Sequence, residues 1–268
     1  MGVSVLFSLC IGESLLAQTD SIRKTPLFTW QDAAVLEGFA ILAVAAAPLD
    51  RKWAAILQDS MVQENRRLRR AAQTVRTIAD PGAFVIGGTM YVVGRATKNE
   101  KAAQLGLHGT EALLVGHGLG LVLKGVIGRA RPYKDITNPH DYQLMRGFKR
   151  GKEGYRSMPS GHTIAAFAAA AAVTSETKSW WPNSVWLIAP AMYGGATIAG
   201  VSRMYNNKHW ASDVITGAAI GTMAGVMVVR YNHTHAGNRL DRWFLGASVS
   251  PSVDGRTVAL HVLPLFAP

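Results

Sequence analysis

Cysteine is nearly absent. Cys10 stands alone in 268 residues, so no disulfide within the chain can staple the fold. Acidic residues are scarce as well: 17 Asp+Glu face 28 Lys+Arg, a formal charge of +11. No zinc-type Cys/His spacing and no aromatic–basic RNA motif occurs, which leaves nucleic acid the weakest of the anionic partners that this charge invites. Phosphorylated substrates and an anionic membrane surface remain. Charged residues of either sign are only 17%, against 49% apolar, a balance that excludes a disordered chain. Long apolar runs are few too. Mean hydropathy is +0.12, low for a chain living wholly in lipid, and the apolar segments 82–94 and 162–174 fall short of the roughly 20 residues that a span needs.

What is there begins with a short apolar run over 3–11 that turns polar after Ala17. It resembles the h-region and cleavage site of an export signal, without the usual basic start, so residues 1–19 are expected to be a leader. Six apolar segments follow, at 33–49, 82–94, 103–124, 162–174, 184–201 and 212–229. None alternates with period two, which predicts an all-α bundle of about six core helices over 20–240. Residues 64–79 form an amphipathic basic helix, with Arg66, Arg69, Arg70 and Arg76 on one face, suited to covering a core or resting on a bilayer surface. Residues 133–156 form a long basic loop. In the tail, 241–268, two alternating stretches flank Asp254-Gly255, the signal of a short β-hairpin.

If all six helices crossed a bilayer, the loops after the first, third and fifth would share one side. Most Lys and Arg lie there, which favours the cytoplasm for that side. The expectation is therefore an exported helical domain of the cell envelope, periplasmic or membrane-associated, with an integral six-helix inner-membrane protein as the alternative.

Three clusters carry chemistry. Ser202-Arg203 is followed by His209 and Asp213, the last two one helical turn apart. A carboxylate beside an imidazole fixes its tautomer, so His209 reads as a nucleophile held by Asp213. Lys124 and Arg131-Pro132 close the third apolar segment, and Pro159-Ser160-Gly161-His162 opens the fourth. Up-down alternation puts all three clusters at one end of the bundle. A phosphoryl group in transfer spreads charge over three equatorial oxygens, which Lys124, Arg131 and Arg203 can neutralise without a metal. Ser160 and Gly161, at a helix start, add free N–H groups and the favourable end of its dipole. Gly217, Gly221 and Gly225 continue the stripe from Asp213, and Ala165, Ala166, Ala169 and Ala170 follow His162, so two closely packed helices are expected.

Together the clusters read Lys-x6-Arg-Pro, Pro-Ser-Gly-His and Ser-Arg-x5-His-x3-Asp. This three-part signature resembles the phosphatidic acid phosphatase type 2 superfamily, which includes bacterial acid phosphatases and vanadium haloperoxidases. The resemblance covers about residues 80–230. It implies a metal-independent phosphatase acting on phosphate monoesters or lipid phosphates and pyrophosphates. In that reading His209 attacks phosphorus to give a phosphohistidine, Asp213 orients it, and His162 protonates the leaving alkoxide and then activates water. It implies no cofactor, with vanadate as an inhibitor or, in a haloperoxidase, as cofactor. A haloperoxidase, a phosphotransferase to an alcohol acceptor and an inactive anion- or lipid-binding protein are the rivals. The partners expected are a phosphorylated small molecule or lipid and a membrane surface; the sequence sets no oligomeric state. Arg129, Arg156, Lys208 and Trp210 read as surface or packing residues, and His108, His117, His140, His233, His235 and His261 acquire no role.

Overall fold

A computed structural model describes residues 26–235, 238–245, 248–251 and 258–261. The expected leader and the Asp254-Gly255 turn lie outside them. The helices in chain order are α1 (Trp30–Ala46), α2 (Asp50–Leu57), α3 (Ser60–Glu64), α4 (Arg66–Thr77), α5 (Ala83–Ala96), α6 (Glu100–Ile127), α7 (Gly161–Trp180), α8 (Val185–Tyr205), α9 (Ala211–Thr234) and α10 (Arg239–Phe244). Two short strands, β1 (Ser248–Pro251) and β2 (Val258–His261), pair antiparallel with Ser248 opposite His261. All six apolar segments are helices, so the fold is all-α.

Local chemistry sets the ends. Thr29 and Asp32 form a reciprocal capping box at the start of α1, and Asn99 caps α6 by accepting from the Ala102 N–H. Gly128 ends α6 in the left-handed conformation, φ 59°, and donates to the Lys124 carbonyl. That stop turns the chain out of the bundle just after Lys124.

Helix α7 is the central element. Ile164, Ala165, Ala168, Ala170, Ala171 and Ala172 are all fully buried, against α6, α8 and α9. The small-residue stripe of α9 faces it. A Cβ on Gly221 would sit 2.9 Å from the Ala168 nitrogen, and one on Gly217 would sit 2.7 Å from the Ser160 carbonyl oxygen. Backbone therefore meets backbone along this contact, as the glycine spacing predicts.

The outside of the bundle corrects the globular expectation. Trp30 is 77% exposed, Val44 74%, Val85 63%, Leu114 61% and Trp186 76%. These residues belong to extended apolar faces on α1, α5, α6 and α8, far larger than the patches that water-soluble monomers carry. Four stretches (Trp30–Leu57, Glu100–Ile127, Pro182–Tyr205 and Ala211–Thr234) are long and apolar enough to cross a membrane. Segment 162–174 was too short as read from hydropathy, but its helix runs for 20 residues. It needs no lipid-facing surface because its neighbours enclose it. The protein is membrane-associated, and its apolar girdle is the physical reason.

Candidate active site

One end of the bundle collects the C-termini of α6 and α8 and the N-termini of α7 and α9. Between them lies a pocket of about 190 Å³ lined by Lys124, Arg131, His162, Arg203 and His209, together with Asp80, His117 and Gly161. Lys124 comes from the last turn of α6 and donates to the Pro159 carbonyl. Arg203 lies in the last turn of α8, and the turn through Asn207, φ 56°, carries the chain to His209. His162 is the second residue of α7. The expected placement at one end thus follows from helix direction alone.

The two arginines keep donors unspent. Arg203 Nε and Nη1 and Arg131 Nε are buried with no hydrogen-bond partner among the described residues. Buried guanidinium donors normally find acceptors. A tetrahedral oxyanion in the pocket would supply them, in the planar, paired manner that suits arginine.

His209 is 3% exposed. Its Nδ1 lies 2.6 Å from the Ser157 carbonyl oxygen, so the ring proton sits on Nδ1 and Nε2 keeps its lone pair. Burial, then the charges of Arg131, Lys124 and Arg203, holds its pKa well below the ordinary histidine value. A neutral imidazole with a free Nε2 is the form a nucleophile requires.

Asp213 is not placed as the His209–Asp213 reading expects. Its Oδ2 is 3.9 Å from His209 Nδ1, beyond hydrogen-bond range. It instead accepts from the Ser157 hydroxyl at 2.5 Å, from the Trp210 N–H at 2.9 Å and from Arg129 at 2.5 Å. The carboxylate fixes Ser157, and the Ser157 carbonyl fixes His209. Orientation passes through an intermediary because the carboxylate is already taken by the Trp210 backbone N–H at the start of α9 and by Arg129.

Ser160 also departs from its expected part. It is fully buried, its N–H donates to the Asp213 carbonyl at 3.0 Å, and its hydroxyl accepts from Thr163 at 2.8 Å. Gly161 reaches the pocket wall; Ser160 ties α7 to α9 behind it.

Four residues were missed: Arg129, Asp50, His117 and Asp80. Arg129, read as a surface or packing residue, is 1% exposed and bridges Asp50 at 2.7 Å and Asp213 at 2.5 Å while also donating to Pro139 and Ser212. Asp50, in α2, gained no notice because nothing in its neighbourhood signals a partner 79 residues away. His117, left without a role, lies one face along α6 from Lys124. Its Nε2 is 3.2 Å from Asp80 Oδ2, which is in turn 3.8 Å from His162 Nδ1. Asp80 precedes α5 in a distorted turn over Ile78–Gly82, and the His117 contact is the first cause of a carboxyl held below its usual range. The seven-residue spacing of His117 and Lys124 was the available signal.

Comparison with known proteins comes to the same region. Residues 107–236 match the PAP2 superfamily. A stretch of 113 residues is 38% identical to the lipid A 1-phosphatase of Porphyromonas gingivalis; it covers 42% of this chain and 22% of that protein. The match thus spans about a fifth of that relative. Among solved structures, the transmembrane PAP2-type phosphatidylglycerolphosphate phosphatase of Bacillus subtilis is similar in fold, with a TM-score of 0.51 and 18% identity, over 79% of this chain and all of that one. LpxE of Aquifex aeolicus gives a TM-score of 0.47 and 19% identity over 68% of this chain and 96% of that one.

Proposed function

We propose that this chain, whose residues 107–236 match the PAP2 superfamily, is a membrane phosphatase that hydrolyses lipid phosphate esters through a phosphohistidine, without a metal in the reaction. The relative matched by sequence is a lipid A 1-phosphatase by name, which supports the substrate class. One feature of this chain carries the lipid reading. An open apolar groove of about 390 Å³ runs between α4, α5, α6, α7 and α8, lined by Ala79, Met90, Ala166, Met192, Gly195 and Ala199 among others. Its lining lies close along the chain to that of the phosphate pocket: Ala79 adjoins Asp80, Ala166 is one turn from His162, and Ala199 is one turn from Arg203. An acyl chain in the groove would leave its phosphate beside the cations.

The chemistry follows from the placement. Lys124, Arg131 and Arg203 bind the equatorial oxygens and offset the charge that develops. His209 Nε2 attacks phosphorus; a P–N bond forms as the ester P–O bond breaks. The departing alkoxide takes a proton from His162. The same histidine then removes a proton from water, whose oxygen attacks the phosphohistidine and releases inorganic phosphate. Pyrophosphate esters would enter by the same route. We place the bundle in a membrane of the cell envelope, with the pocket at the water boundary.

The test is phosphate release in mixed micelles from a phosphatidate, an isoprenyl pyrophosphate and a soluble monoester, with His209→Ala as control. Lipid substrates are expected to be preferred in kcat/KM and the variant to be inactive. Equal turnover of the soluble monoester would remove the lipid reading, and an active variant would remove the phosphohistidine.

A further inference from the structure

The opposite end of the bundle holds a second cluster of chemically capable side chains. His108 lies in the third turn of α6, Glu176 near the end of α7 and His233 near the end of α9. His108 is 16 residues from Lys124 on the same helix, so the two ends are roughly 24 Å apart. His108 Nδ1 is 2.5 Å from Glu176 Oε1, and His233 Nε2 is 2.8 Å from Glu176 Oε2. One nitrogen from each histidine and one carboxylate oxygen all lie within 4.8 Å of one another.

The surroundings add to the pattern. Asp241, from α10, lies 3.3 Å from the other nitrogen of His108. Glu111, one turn along α6, accepts from Asn232 at 2.8 Å, and its second oxygen is buried with no partner among the described residues. Three carboxylates therefore surround two imidazoles, and Glu176 and His108 are 0% and 3% exposed. Burying that much negative charge is costly unless it is compensated, by protons on the two imidazoles or by a metal ion in their place. The phosphate chemistry at the far end uses none of these groups.

We propose that His108 Nδ1, the Glu176 carboxylate and His233 Nε2 form a binding site for a divalent transition ion of the zinc type. Two imidazoles and a carboxylate are a donor set that zinc accepts, and imidazole disfavours magnesium or calcium. Tetrahedral zinc would set its ligand atoms about 3.3 Å apart, so the side chains need move only slightly. Asp241 fits the supporting part: by accepting from the His108 Nε2–H at 3.3 Å it would hold the tautomer in which Nδ1 exchanges its Glu176 contact for the ion. The fourth position is left to water. The His233 side chain is 36% exposed, which gives the ion a way in. The ion would tie α6, α7 and α9 together at the end where no phosphate holds them.

The full chain, without an affinity tag, is stripped with a chelating resin in detergent and titrated with Zn²⁺ by calorimetry. Metal content and thermal midpoint are read in parallel. The expected result is one zinc per chain and a midpoint raised by several degrees. In the His233→Ala variant affinity should fall at least tenfold and the midpoint should no longer respond. Co²⁺ should give visible d–d bands with the wild type that the variant lacks. If His233→Ala does not fold, Asp241→Asn serves instead, with an affinity loss of about tenfold or more. Stripped wild type that neither binds zinc nor shifts its midpoint would show a hydrogen-bonded network only and overturn the proposal. Equal zinc binding by wild type and variant would overturn it as well. Neither result bears on the phosphatase reading, whose residues lie at the other end.

Discussion

Two histidines in the pocket differ in their partners, and that difference decides what each can do. His209 gives its one ring proton to a backbone carbonyl, which cannot ionise. His162 instead has a carboxylate, Asp80, within 3.8 Å, itself contacted by His117. If His209 is the nucleophile proposed above, His209→Ala is expected to lower kcat by about a thousandfold or more, while the thermal midpoint stays within a few degrees. Steady-state phosphate release and a melting curve check both. Asp80→Asn should lower kcat roughly tenfold with little change in KM. Loss of the nearby anion makes the imidazolium less favourable, so the basic limb of the pH–rate profile should move to lower pH. An unmoved limb would confine Asp80 to a structural part. For His209 the sign is the reverse of a stabilised cation. The unfolded chain takes up a proton near pH 6.5 and the folded chain does not. Stability contributed by this residue should therefore fall as pH drops below that value, and the acidic limb of kcat/KM should lie under it.

Among the elements, α7 and α9 are the pair whose separation sets the site. His162 and Asp213 start them side by side, with Ser160 N–H bonded to the Asp213 carbonyl. A side chain at Gly221 meets the backbone of α7 and not a movable side chain. Gly221→Leu should cost about 1–3 kcal/mol or more and lower kcat by changing the distance between the histidines; denaturant melts and turnover measure the two effects. The apolar groove allows a cleaner experiment. A Cβ on Gly195 meets nothing within 4 Å, and Gly195 lines the groove. Gly195→Phe should fold normally and raise KM for a lipid phosphate about tenfold, the loss of a few buried methylenes, leaving a soluble monoester unaffected. Glycine spacing made the α7–α9 contact legible in sequence. The groove was not legible, because its walls come from five helices and no single stripe marks it.

At the scale of the whole molecule, the balance between a soluble and a membrane protein turned on where the apolar surface points. Composition alone favoured a globular domain. The outward faces of α1, α5, α6 and α8 reverse that reading, since α7 absorbs much of the small-residue content in the core. The protein should pellet with membranes, resist extraction by high salt and come into solution with detergent. Recovery in the aqueous phase without detergent would contradict the apolar girdle. The buried polar link across the bundle belongs to this scale too. Arg129 joins α2 to α9 through Asp50 and Asp213. Arg129→Met should destabilise by roughly 3–5 kcal/mol because it leaves two buried carboxylates unpaired.

The sequence by itself determined the all-α class, the six long apolar helices and the gathering of Lys124, Arg131, His162, Arg203 and His209 at one end. Those follow from periodicity, from helix direction and from three spaced motifs, all of which are local. Only the tertiary structure decided that Asp213 reaches His209 through Ser157, that Arg129 is interior, that Asp80 and His117 border the pocket and that a groove opens beside it. Each of these depends on contacts between residues far apart in the chain, and on which oxygen of a carboxylate is already taken. Spacing along a helix fixes the face on which a side chain lies; it leaves open the partner that the neighbouring helix will present to it.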